Sequence, residues 1–207
     1  MIEKVDKNFE KAILDAAEKL FLEKGFSMTS TIEIAKEAGC NQSMVHYYFR
    51  TKDKLFDAIF ENKANLIINT IISNWNSEIP IKENLKNAIE AHFEILRENP
   101  KIPFLIFNEL TTNPERLKKI VDKIQNIKEL FFPKFVNDLK KAIESGEIRK
   151  TEPIDFIVLL VSLNVIPFVA KPLIQSIAMM NDKEFEEFIK VRKQENVRII
   201  LKSLENN

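Results

Sequence analysis

Apolar side chains recur every three or four residues along most of the chain, and no stretch shows sustained apolar–polar alternation with hairpin signals. That spacing predicts helices and no sheet. Phe9, Ile13, Ala16, Ala17, Leu20 and Phe21 form the stripe of a first helix over about residues 7–24. Two short helices follow. Ser30 with Glu33 three residues on has the pattern of a capping box, and Ile34, Ala35 and Ala38 give that helix a small apolar face. Gly39 is placed to end it in the left-handed conformation. Asn41 is placed to cap the next helix, with Val45 and Phe49 on its inner face and Gln42, Ser43, His46 and Tyr47 on its other side.

Thr51 opens a fourth helix that runs through Leu55, Phe56, Ile59 and Phe60 to about Asn74. Residues 76–80 break the pattern. Further helices are predicted over 81–98, 103–110, 113–146 (kinked at Pro133), 154–179 (with Pro167 and Pro172) and 182–204. The expectation is an all-α chain of about nine helices. Residues 1–51 would form a three-helix unit with a helix-turn-helix, and residues 52–207 a C-terminal helical bundle. The three glycines, Gly25, Gly39 and Gly146, all fall where a helical pattern stops.

Composition narrows the function. With 207 residues, 45% hydrophobic and 30% charged, the chain is long enough for one domain or two small ones. The most apolar run, residues 156–170, is short for a bilayer and is interrupted by Asn164 and Pro167, so no membrane span is expected. Residues 1–8 are charged and no apolar core follows, which argues against a signal peptide. A single cysteine, Cys40, rules out an intrachain disulfide and fits a cytoplasmic location. Cys40 reads as a small buried hydrophobe rather than a redox sensor. No nucleophile–base pairing, metal-ligand spacing or phosphate loop stands out, so neither an enzyme nor a metal or cofactor is expected.

The formal net charge is zero, so no global field steers the chain onto nucleic acid. A basic patch is only local: Arg50, Lys52 and Lys54 oppose Asp53 just after the third helix. Yet helix, glycine turn and second helix is the helix-turn-helix arrangement, whose second helix lies in the DNA major groove.

The run IAKEAGCNQSMVHYYFRTKDKL resembles the N-terminal signature of the tetracycline-repressor (TetR/AcrR) family of bacterial transcription regulators. The matching residues are Ile34-Ala35, Ala38-Gly39, Tyr48-Phe49, Lys52 and Leu55, with Ala16-Ala17, Leu20-Phe21 and Gly25-Phe26 upstream. The resemblance covers roughly residues 9–60. By position it implies that Gln42, Ser43, Met44, His46 and Tyr47 touch base edges, and that Ser30, Thr31, Tyr48 and Lys52 contact phosphates of an operator duplex. Gln42 has an amide that pairs bidentately with adenine, and Met44 suits a thymine methyl. His46 departs from the tyrosine common there; a base contact and packing under the helix both stay open.

The C-terminal part is rich in phenylalanine and in helix-kinking prolines. With the resemblance, this points to a pocket for a small apolar or amphipathic effector among Trp75, His92, Phe93, Phe107, Asn108, Phe135, Asn164 and Phe168. Such a pocket should measure at least about 300 Å³, and only His92 could give it a cation near neutral pH. The resemblance also implies a homodimer through the last two helices. Phe185, Phe188, Ile189, Val197, Ile200, Leu201 and Leu204 would supply an apolar stripe on the final one. The function expected is a ligand-responsive DNA-binding transcription regulator, a repressor released from its operator by its effector. An all-α interaction or small-molecule-binding protein without operator binding, or an activator of the same family, is the alternative.

Overall fold

The computed structural model describes residues 2–115, 118, 122, 129 and 131–206, and among these it has ten helices and no strand. They are α1 (Ile2–Lys24), α2 (Thr31–Glu37), α3 (Gln42–Phe49), α4 (Lys52–Ser73), α5 (Ile81–Glu98), α6 (Ile102–Thr112), α7 (Phe132–Glu144), α8 (Pro153–Val169), α9 (Lys171–Ala178) and α10 (Asp182–Ser203). The chain divides into two compact units. One is residues 1–65 with 105–120, the other residues 66–104 with 121–207.

The first unit has its core where the stripes predict it. Ile13, Ala17 and Phe21 of α1, Ile34 and Ala35 of α2, Val45 of α3, and Leu55, Phe56 and Ile59 of α4 are buried. Phe21 and Phe26 both meet Phe56 edge-on, with ring centres 5.2 and 5.0 Å away. Such aromatic pairs add about 1 kcal/mol beyond the area they bury. Surface ion pairs Lys63–Glu18 (2.6 Å) and Lys19–Glu37 (2.5 Å) trim this unit.

In the second unit α5 is the central helix and packs against α7, α8 and α10. Its buried side carries Leu85, Ala88, Ile89, His92, Phe93 and Leu96. One apolar cluster forms around Trp75, Leu85, Phe135, Phe156 and Ile200; another forms around Phe93, Phe168, Phe185 and Ile189.

Two helix predictions change, and part of one lies outside the described residues. Most of residues 116–130, part of the long helix expected over 113–146, lies outside the described residues. Pro133 is not a mid-helix kink but sits in the first turn of α7, where its missing N–H costs nothing. The helix expected over 154–179 breaks at Ala170 into α8 and α9, bent by 68°. Pro172 is the reason: it begins α9, cannot donate to the preceding turn, and clashes with it.

The stripe on the last helix also behaves differently. Phe185, Ile189, Val197, Ile200 and Leu204 are all buried within the chain, and Leu201 packs on the inner cluster. These residues fill the core of their own unit because α5 and α8 both lie against α10. Apolar surface stays open on α8, where Ile154, Val158, Val161 and Ile166 are 40–58% exposed, and on α9, where Leu173 and Ile177 are 61% and 74% exposed. No single helix among the described residues is long and apolar enough to cross a membrane; α8 and α9 together pass by length and composition only, across their bend.

Candidate functional site

The turn between α2 and α3 is built from caps. Ser30 Oγ accepts from Glu33 N–H at 3.2 Å, and Glu33 reaches back to Ser30 N–H at 3.0 Å. Lys24 and that Ser30 N–H hold the Glu33 carboxyl down at about 2. At the other end Cys40 N–H donates to Ala35 O at 2.9 Å while Gly39 adopts φ 67°, a reversal open to glycine at no steric cost. Asn41 Oδ1 then accepts from Met44 N–H at 3.0 Å and starts α3. Burial pushes the Cys40 thiol up, away from the thiolate form a redox sensor uses.

This leaves α3 with one buried residue, Val45, and an outward row of polar side chains. Gln42, Ser43, His46 and Tyr47 are exposed, and Met44 is half-buried. Gln42 Nε2 donates to Thr31 Oγ1 at 3.0 Å, which ties α3 to α2. Ser43 Oγ donates to the cap at Asn41 Oδ1 (2.5 Å). The rings of Tyr47 and Tyr48 meet edge-on at 5.1 Å.

His46 and Lys52 have tasks that the sequence does not reveal. His46 stays exposed and its Nδ1 donates to Arg50 O at 3.1 Å. That bond braces a tight turn: Arg50 has φ 62° and ψ −55°, and Thr51 N–H donates to Phe49 O across it. Such positive φ in a bulky residue is strained. Lys52 Nζ donates to Phe26 O (2.9 Å) and Thr29 O (3.0 Å) and lies 4.1 Å from the Phe26 ring centre. The ammonium expected at a phosphate thus gives two of its three hydrogens to carbonyls of the α1–α2 loop.

In the second unit a cavity of about 230 Å³ is walled by Ile67, Ile71 and Trp75, by Ala88 and His92 of α5, and by Phe131, Phe132 and Phe135. Phe156, Ile157, Leu160 and Val161 of α8 complete it. It is smaller than the 300 Å³ expected, because the aromatic side chains pack on one another: Trp75 meets Phe131 and Phe135 edge-on at 5.6 and 5.4 Å. Of the residues expected at the pocket, the structure brings together Trp75, His92 and Phe135. Phe93 is fully buried against Phe168, 5.2 Å away, and neither lines the cavity. Asn164 does not line the cavity but donates to His92 Nδ1 at 3.2 Å. Phe107 and Asn108 lie on α6, outside the cavity wall, and Phe107 is 40% exposed. His92 gives no cation, since burial pushes it down to about 4. Ile67 and Ile71 have no counterpart in the sequence-based set; the apolar pattern of α4 past residue 60 is their only signal.

Comparison with known proteins agrees with this geometry. Residues 13–59 match the family described as bacterial regulatory proteins, tetR family. The fatty acid metabolism regulator protein of Bacillus subtilis is 26% identical over 138 residues, which is 67% of this chain and 70% of that protein. The HTH-type transcriptional repressor BepR of Brucella suis is 26% identical over 143 residues, 67% of this chain and 68% of that one. A bacterial regulatory protein in the tetR family from Rhodococcus RHA1 shares the fold over 96% of this chain and 98% of its own, with a TM-score of 0.75 at 16% identity. With the sequence match centred on the capped helix pair and the fold shared along nearly the whole length, residues 13–59 carry a DNA-binding domain of the tetR type and the chain is a DNA-binding transcription regulator with a tetR-like fold.

Proposed function

We propose that the protein is a ligand-responsive repressor: a homodimer that occupies an operator and leaves it when a small apolar or amphipathic molecule fills the cavity of the second unit. The observation that carries this reading is the outward row of α3, with Gln42, Ser43 and Tyr47 exposed on a helix capped at Asn41. Gln42 keeps one amide hydrogen and its Oε1 beyond the bond to Thr31, which is what a bidentate contact with adenine needs. DNA reading is assigned to residues 1–51 and signalling and dimerisation to residues 52–207. α4 is an uninterrupted helix from Lys52 to Ser73, and its Ile67 and Ile71 line the cavity. A filled cavity would therefore act on α4 and change the spacing of the two reading helices from the roughly 34–36 Å of one DNA turn. The names of the Bacillus and Brucella relatives, a metabolism regulator and a repressor, support repression under metabolite control.

The dimer would form through the outer face of α8, where Ile154, Val158, Val161 and Ile166 stay exposed, together with the open side of α10 at Val191. Val158→Asp should convert a dimer into a monomer in sedimentation at micromolar concentration and weaken operator binding with it. The central test is a binding-site selection with the native protein and Gln42→Ala. The substitution should relax preference at one base pair per half-site, by about 1–3 kcal/mol. An unchanged base preference would refute the role given to α3.

A further inference from the structure

Among the described residues, the cavity wall contains two polar side chains, Trp75 and His92. The Trp75 N–H is committed to Asp138 Oδ2 at 2.9 Å. His92 is 5% exposed, and its Nε2 has no partner among the described residues.

Which of its nitrogens carries the proton follows from a chain of bonds that begins at a proline. Pro167 lies inside α8 and has no N–H, so the Leu163 carbonyl one turn earlier loses its helical donor. Asn196 of α10 replaces it: Asn196 Nδ2 donates to Leu163 O at 2.9 Å. A carbonyl only accepts, so the orientation of the Asn196 amide is fixed. The same Nδ2 donates to Asn164 Oδ1 at 2.9 Å, which fixes Asn164 in turn. Asn164 Nδ2 then donates both to Ile89 O (3.0 Å) and to His92 Nδ1 (3.2 Å). Nδ1 is therefore an acceptor without a proton, the ring is neutral, and its hydrogen is on Nε2. Burial acts in the same direction and keeps the ring uncharged at any physiological pH. The arrangement has a cost, since Asn196 Oδ1 is left buried without a partner. Turning that amide over would face oxygen against two oxygens.

We infer that the effector is an uncharged compact molecule, largely aromatic or aliphatic, that carries one hydrogen-bond acceptor and places it on His92 Nε2–H. This rests on the cavity being the effector site, as proposed above. The volume supports a small molecule. About 230 Å³ exceeds the roughly 150 Å³ that accommodates benzene and falls short of sites for drug-sized ligands. The aromatic wall would also suit a cation. However, among the described residues no carboxylate lines the cavity, and the one unpartnered polar group there is a donor, which repels an ammonium. A ligand without an acceptor would bury this donor unmet, which is costly, so a ligand with a carbonyl or ether oxygen gains over one without it.

The test uses acetophenone and α-methylstyrene, which differ in shape by little more than C=O against C=CH₂, with protonated 1-phenylethylamine as the cationic probe. Titration calorimetry on the full-length protein reads affinity. Fluorescence of Trp75, the single tryptophan of the chain, reports occupation of this cavity. Acetophenone should bind about tenfold more tightly than α-methylstyrene. His92→Phe should abolish that preference and His92→Gln, which retains a donor, should keep most of it. The ammonium should bind most weakly. Equal affinities for the two neutral probes, a preference that survives in His92→Phe, or tightest binding of the ammonium would each overturn the inference while leaving the cavity as an effector site. Failure of all three probes to bind would overturn both.

Discussion

In the first unit, the polar contacts that shape the reading helices mostly join near neighbours in the chain: Ser30 with Glu33, Asn41 with Met44, Thr31 with Gln42 eleven residues on. In the second unit they span 32 residues from Asn164 to Asn196, 63 from Trp75 to Asp138 and 75 from Ile89 to Asn164. The first set is exposed and each bond is modest; the second is buried or part-buried, where an unmet partner is costly. The difference suits the two tasks proposed above. A reading head must present polar groups outward and needs only a fixed turn. A cavity that discriminates between ligands needs a polar group held rigidly inside an apolar wall.

The sharpest way to break the comparison is to remove one long-range member and one local one. Asn164→Leu strands His92 Nδ1, the Ile89 carbonyl and the Asn196 amide together, and should cost about 3 kcal/mol in denaturant unfolding. Asn41→Ala removes a cap and should cost about 1 kcal/mol. Equal losses would mean that the buried relay is no more than another surface contact.

Acid sharpens it further. Unfolded, His92 takes up a proton near 6.5; folded, it resists until about 4. Stability is therefore complete above pH 6.5 and is lost as the pH falls toward 4, by about 3 kcal/mol. His92→Phe should flatten that slope in unfolding measured across this range. A native protein with the same slope as the variant would refute the buried neutral ring.

Lys52 is the long-range exception in the first unit. Lys52→Met keeps the stem over Phe26 but frees two carbonyls, and should cost about 2 kcal/mol of stability with little change in the salt dependence of DNA binding. Unchanged stability and a salt slope reduced by about one would instead make Lys52 a phosphate contact. The smallest effect is a gain. Arg50→Gly should relieve the strained turn after α3 and stabilise the protein by about 1 kcal/mol, seen as a raised melting temperature.

Much of this was legible along the chain, above all where one residue's neighbours decide its conformation. The caps at Ser30 and Asn41, the reversal at Gly39 and the bounds of α5 follow from side chains within a turn of each other. Heptad-like stripes in α1 and α5 announced which faces are buried. The family resemblance added which side of α3 would meet DNA.

Other features depended on what packs where. Periodicity marked one face of α10 as apolar, but only the arrival of α5 and α8 made it interior and left the face of α8 open. Phe107 and Phe135 look alike in sequence, and only Phe135 reaches the cavity. The charge on His92, the use of Asn196 and the occupation of Lys52 depend on atoms brought from 23 to 75 residues away. By itself the sequence determined most of the helices, the caps of α2 and α3 and the polar face of α3, because short-range sterics and hydrogen bonding suffice for these. Tertiary structure alone decided which apolar faces stay open, how large the cavity is and which proton His92 offers to it, because a buried group's partners and solvation are set by the elements that close over it.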